Sequence, residues 1–145
     1  MGVAVPQLLE MTDVDLDALF RASEAGVIPR GEAEGTVLVR PGTELAGPAA
    51  KLVHMLVWQG KVFDPERGEL RNELLPFGIK AVRAKVYKDP SWLDDKETIV
   101  LDYSHTSLVA HWIRDEIREV GPGTYLGLVY WERKRLLHFA LKFPT

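Results

Sequence analysis

The sequence predicts an α+β chain dominated by strands: an antiparallel closed β-barrel, with a helix near 46–58 covering one end and a helical arm at the N-terminus. Three observations predict it. After Gly60 the chain is a succession of short strand-like runs separated by turn residues. Two of those runs alternate well: Ile99, Leu101 and Tyr103 share one side, and Leu137, Phe139, Leu141 and Phe143 share another against Leu136, His138, Ala140 and Lys142. Finally, many brief strands joined by brief turns would leave unpaired edges unless the sheet closed on itself.

The elements follow in order. Residues 1–11 have no clear period and read as a loose leader. Thr12, with Asp15 three residues later, forms a capping-box pattern ahead of Leu16, Leu19 and Phe20. This predicts a short helix over about 13–23, ended near Gly26 and Pro29. From Gly31 to Arg40 the run Thr36-Val37-Leu38-Val39 favours a strand, stopped by Pro41-Gly42. Gly47-Pro48 then opens the covering helix, whose apolar positions Leu52, Val53, Leu56 and Val57 lead to Trp58, with Gly60 as the stop.

Lys61-Val62-Phe63 leads into the turn 64–68, and Glu69 to Leu74 returns. Gly78 to Lys88 is β-rich and closes at Asp89-Pro90; Glu97 to Tyr103 follows. Thr124 to Trp131 and Arg135 to Phe143 form the last pair, joined by Glu132-Arg133-Lys134. Residues 106–120 fit either a helix stopped at Gly121-Pro122-Gly123 or a strand from Ile113 to Val120, and periodicity does not arbitrate. The expected organisation is an arm over 1–30 and one barrel domain over 31–145.

Composition narrows the function classes. With 145 residues and 46% hydrophobic content the chain can bury a real core. Its 18 basic and 21 acidic side chains leave a net charge of −3, so no phosphate-neutralising face and no nucleic-acid partner are expected. The basic residues Lys80, Arg83, Lys85 and Lys88 fall on both faces of one strand and make no stripe. There is no cysteine, hence no disulfide, thiolate nucleophile or sulfur-ligated zinc. No run reaches the ~20 apolar residues of a membrane span, and the N-terminus lacks a secretory pattern, so cytoplasmic residence is expected. His54, His105, His111 and His138 have no metal-ligand spacing, and no metal or other cofactor is expected. A haem ligand could be any single histidine. Glycine-rich phosphate loops and a G-x-S-x-G elbow are missing from the sequence.

Four pieces in order resemble the uncharacterised bacterial barrels named after a GXWXG signature. Gly31-Glu32-Ala33-Glu34-Gly35 keeps both glycines but has Ala33 at the tryptophan position. Trp58-Gln59-Gly60-Lys61-Val62-Phe63 is similar to a W-x-G-K-x-F element. Ile113-Arg114-Asp115-Glu116-Ile117-Arg118 is similar to I-x-D-x-F-R, with Ile117 for phenylalanine, and Tyr125-Leu126-Gly127 precedes Phe139-Ala140-Leu141. The resemblance spans about 31–143. It implies a lipocalin-like (calycin-type) barrel, no settled reaction or ligand, and a strand at 113–120.

A barrel of about eight strands is just wide enough for side chains or one small ligand, so inward polar groups are the candidates. Asp115 lies between Ile113 and Ile117 on the apolar face. It must be paired, protonated or facing a wet cavity. It is either a polar anchor or general base, or a structural carboxylate pairing with a neighbouring lysine or arginine. Arg118 alternates to the other face and is expected on the surface, as part of a solvated run of alternating charge from Arg114 to Glu119. Tyr103 is the second inward candidate. Lys61 and Asn72 flank the 64–68 turn, on a solvated rim or at the barrel mouth, and Trp58 and Phe139 are core or pocket-wall aromatics.

The expected function is non-catalytic binding of a small apolar molecule of fatty-acid or isoprenoid type. Its candidate contacts are Asp115, Tyr103, Trp58, Lys61, Asn72 and Phe139. The alternative is an isomerase, cyclase or decarboxylase using Asp115 as acid or base and Tyr103 as acid or orienter. A filled barrel acting as an interaction module is a third reading, and a homodimer is left open.

Overall fold

The computed structural model describes residues 2–38, 61–72, 82–105 and 112–144. The predicted covering helix at 46–58, and Trp58 within it, lie outside these residues. Two helices, α1 (Val5–Leu9) and α2 (Asp13–Ala22), precede eight strands. These are β1 (Gly31–Leu38), β2 (Lys61–Asp64), β3 (Glu69–Asn72), β4 (Val82–Pro90), β5 (Glu97–Asp102), β6 (Ile113–Gly121), β7 (Thr124–Trp131) and β8 (Lys134–Lys142). Each strand pairs antiparallel with the next and β8 pairs with β1, so the barrel is closed. The expected fold class is what forms.

Local chemistry accounts for the elements. Thr12 caps α2 as its spacing suggests: Asp15 N–H donates to Thr12 Oγ1 at 3.1 Å and Thr12 N–H reaches back to the Asp15 carboxylate. The segment from 113 is a strand, in register with β5 through Leu101 opposite Asp115 and with β7 through Asp115 opposite Val129. The β7–β8 hairpin turns on Glu132 and Arg133, both with positive φ (49° and 71°), the paired left-handed geometry that matches strand twist.

Side chains divide into two cores, one on each side of the wall. The lumen holds Val37, Phe63, Leu70, Val86, Ile99, Leu101, Ile113, Ile117, Val129, Phe139 and Leu141 among others. The second core lies outside: Leu8, Leu16 and Phe20 from the two helices cover Leu126, Leu128, Tyr130 and Ala140 of β7 and β8. A strand with apolar layers on both faces has no polar side, so every residue from Thr124 to Tyr130 is buried.

Two expectations are corrected here. Residues 1–11 are not a loose leader: α1 forms within them, Ala4 N–H donates to Gln7 Oε1 at 2.8 Å, and Leu8 is fully buried against the outer wall. Arg118 does alternate to the outer face but is fully buried rather than solvated. The arm covers the wall there, and all five guanidinium N–H donors find acceptors. Two go to the Asp94 carboxylate at 2.7 Å each, and the others to the carbonyls of Phe20, Lys96 and Glu97 at 2.7–3.2 Å. Asp94 is held down to about 2, first by those hydrogen bonds from Arg118, which outweigh its burial. The Phe20 ring lies 4.3 Å from the guanidinium carbon.

The neighbouring charges are not a solvated face either. Glu116 is fully buried and accepts from Ser91 Oγ (2.5 Å), Trp92 N–H (2.8 Å) and the Arg114 guanidinium (3.0 Å), tying the β4–β5 loop to β6.

Candidate ligand site in the barrel lumen

Among the described residues, Lys61, Tyr103 and Asp115 bring polar atoms into the apolar lumen, each delivered by strand alternation. Tyr103 directly follows β5 and continues its inward series Ile99–Leu101; its N–H donates to the Ile113 carbonyl. Asp115 sits between Ile113 and Ile117 on β6, diagonal to Tyr103 across the ladder. Lys61 opens β2, opposite Ala33 on β1 and Asn72 on β3. In the closed strand order β2 lies diametrically across from β6, so Lys61 reaches Tyr103 through the lumen and not along the sheet, and is coupled to Asp115 electrostatically across it. Lys61 Nζ donates to Tyr103 Oη at 3.0 Å.

Burial makes this group electrically costly. Lys61 and Tyr103 are fully buried and Asp115 is 2% exposed. Loss of hydration pushes the Asp115 carboxyl up to about 7; the Lys61 charge opposes that rise and Glu116, behind the wall, adds to it. The same loss pulls the Lys61 ammonium down to about 8, against the pull of Asp115. Among the described residues Asp115 Oδ1 has no hydrogen-bond partner, a condition that native interiors rarely tolerate.

The remaining candidates fall as follows. Phe139 is a lumen residue, fully buried, with its ring seated over Gly127, where an added Cβ would come within 2.3 Å of the ring. Asn72 belongs to β3 opposite Lys61 by backbone register. The solvated-rim alternative for Lys61 is overturned, because its side chain points inward and is sealed there. Sequence reasoning missed the Lys61–Tyr103 contact; the alternation of Val62 between Lys61 and Phe63 was its only signal. Among the described residues no three His, Asp or Glu side chains gather in a metal-binding group, and no helix is long and apolar enough to cross a membrane.

The fold and its site define a closed eight-stranded antiparallel barrel in which, among the described residues, Lys61, Tyr103 and Asp115 stand in a largely apolar lumen, an architecture suited to holding a small ligand. A solved structure described as a protein from Thermomonospora curvata is similar over 94% of this chain and 90% of that one, with a TM-score of 0.60 and 15% identity, a likeness of fold. No family model matches the sequence, and no curated protein matches it.

Proposed function

We propose that this protein binds a small, largely apolar molecule with one polar group inside its barrel. The observation that carries the reading is the buried Lys61–Tyr103–Asp115 group, with Asp115 Oδ1 unsatisfied among the described residues. Burying an unsatisfied polar atom costs about 1–3 kcal/mol, and more if it is charged. An apolar site with a few convergent polar groups is the usual form of a small-molecule pocket. A fatty-acid or isoprenoid chain along Leu101, Phe139 and Leu141, with its polar end at Lys61, fits that pattern.

Native mass spectrometry of freshly purified protein, together with a thermal-shift panel of acyl and isoprenoid compounds, tests the reading. A co-purified molecule, or a ligand-linked rise in melting temperature, is expected. No bound species and no shift across the panel would overturn it.

The second reading is catalysis on an apolar substrate, an isomerisation, cyclisation or decarboxylation with Asp115 as acid or base. The observation favouring it is the Asp115 carboxyl raised to about 7 by burial, close to the optimum for proton transfer at neutral pH. Under this reading Asp115→Asn abolishes turnover and leaves ligand binding in place. We also read the chain as a lipocalin-like barrel of the GXWXG kind. That reading is supported by Gly31 and Gly35 on β1, Asp115 on β6 and Gly127 opposite Phe139 on β7 and β8.

A further inference from the structure

We propose that Lys61 condenses with the carbonyl carbon of an apolar aldehyde or ketone held in the lumen, forming a protonated imine whose counter-ion is Asp115. This rests on the lumen being the ligand site and adds the ligand's chemical class.

The polar group is rich in donors. The Lys61 ammonium and the Tyr103 hydroxyl supply N–H and O–H bonds, and both converge on one spot where they already meet at 3.0 Å. A ligand with an oxygen acceptor on an electrophilic carbon engages the nitrogen and the hydroxyl together. A fatty-acid carboxylate accepts the same hydrogen bonds but offers the amine no carbon ready to condense, whereas an aldehyde or ketone carbonyl offers both. An alcohol or ether would accept the same hydrogen bonds, but neither would use an amine with a hydroxyl in contact and an acid electrostatically coupled to it. A carbonyl uses all three, and desolvation of the lysine favours its nucleophilic free-amine form.

The step balances within the site. Asp115 takes one proton from the Lys61 ammonium. The nitrogen lone pair forms the new C–N bond while the C=O π pair moves to oxygen, which takes the Tyr103 hydroxyl proton. The nitrogen returns a proton to the Tyr103 oxygen, giving the neutral carbinolamine. Asp115 then protonates the carbinol oxygen, the C–O bond breaks, water leaves, and the nitrogen pair closes the C=N bond. The sum is ammonium plus carbonyl giving iminium plus water, with no oxidant or reductant. The site starts and ends with one positive charge on Lys61 Nζ and one negative charge on Asp115; both are neutralised by proton transfer in between, so the net buried charge is unchanged.

The test is reductive trapping on the full chain. The protein is incubated with one equivalent of decanal and cyanoborohydride, then read by intact mass and peptide mapping; decanol, which cannot form an imine, is run in parallel by thermal shift. A single decyl addition on the Lys61 peptide is expected, with at least a tenfold slower addition in Tyr103→Phe and in Asp115→Asn, and none at that peptide in Lys61→Arg. Because the adduct is read on the unaltered protein, a variant that fails to fold does not blunt the result. If decanol or decanal raises the melting temperature but no adduct forms at Lys61, or addition spreads over surface lysines, the imine is overturned and the binding reading stands. If neither compound shifts the melting temperature and no adduct forms, both fall.

Discussion

Ala33 on β1 and Lys61 on β2 are direct register partners, and both side chains are buried on the lumen side of the wall. The Ala33 methyl takes up far less of the tube beside the lysine than an indole would.

Ala33→Trp is therefore expected to close the space over Lys61 while keeping the barrel. Overpacking of this kind costs about 1–3 kcal/mol, and far-ultraviolet circular dichroism should stay strand-dominated. Ligand-induced melting shifts should vanish in this variant. Uptake equal to that of the unaltered protein would place the ligand elsewhere.

Asp115 makes stability depend on pH in an unusual direction. Its folded carboxyl titrates near 7 and the unfolded one near 4, so between those values the folded protein holds a proton that the unfolded chain has lost. Stability must fall as pH rises through that window, by up to ~1.4 kcal/mol per pH unit for one proton. Lys61 acts in the opposite sense higher up. Between about 8 and the ordinary lysine range the unfolded chain binds the extra proton, so its contribution grows with pH. Urea titrations at pH 5, 6 and 7 should show the decline in the unaltered protein and a flatter profile in Asp115→Asn. Equal slopes in the two would show that Asp115 ionises normally.

Arg118 fastens the arm to the barrel, since its guanidinium joins the Phe20 carbonyl of α2 to Asp94 and the β4–β5 loop. Removing one member of a buried charge pair costs about 3–5 kcal/mol, and Arg118→Met should fall in that range. Lysine offers a point charge in place of a five-donor fork, so Arg118→Lys recovers little. Hydrogen exchange of the α2 amides should speed up in both variants before the strands are affected. Unchanged α2 protection would refute the fastening role.

Gly127 is required by Phe139, whose ring lies where a Cβ would be, at 2.3 Å. Gly127→Ala is expected to destabilise by about 1–3 kcal/mol, because the ring must shift to admit the new methyl group. Phe139→Leu should relieve part of that cost, so the double variant loses less than the two single losses combined. Strict additivity would rule out the ring contact as the cause.

The barrel was legible because its strands carry their own alternation. Ile99–Leu101–Tyr103 and Leu137–Phe139–Leu141 lie on the lumen side as their spacing predicts, and Asp115 lies between Ile113 and Ile117. Contacts across the tube were not legible. Lys61 meets Tyr103 over a separation of 42 residues from a strand of only four, and a period-two pattern states which face a residue takes but not what it meets there. The fate of Arg118 was hidden for a related reason. Alternation assigned it to the outer face, and only tertiary packing of α2 turns that face into a second interior. The Arg114–Glu119 charge run has the same explanation, since a solvated face and a covered one read identically until the cover is known.

The closing seam joins β1 to β8, and the arm's seat is built from β7 and β8, so the earliest segments described have their partners among the last. During synthesis α1, α2 and the first strand must therefore wait beside the ribosome with greasy faces uncovered until β8 emerges. Maturation is concentrated in one late event, a topology of long-range contacts that folds slowly.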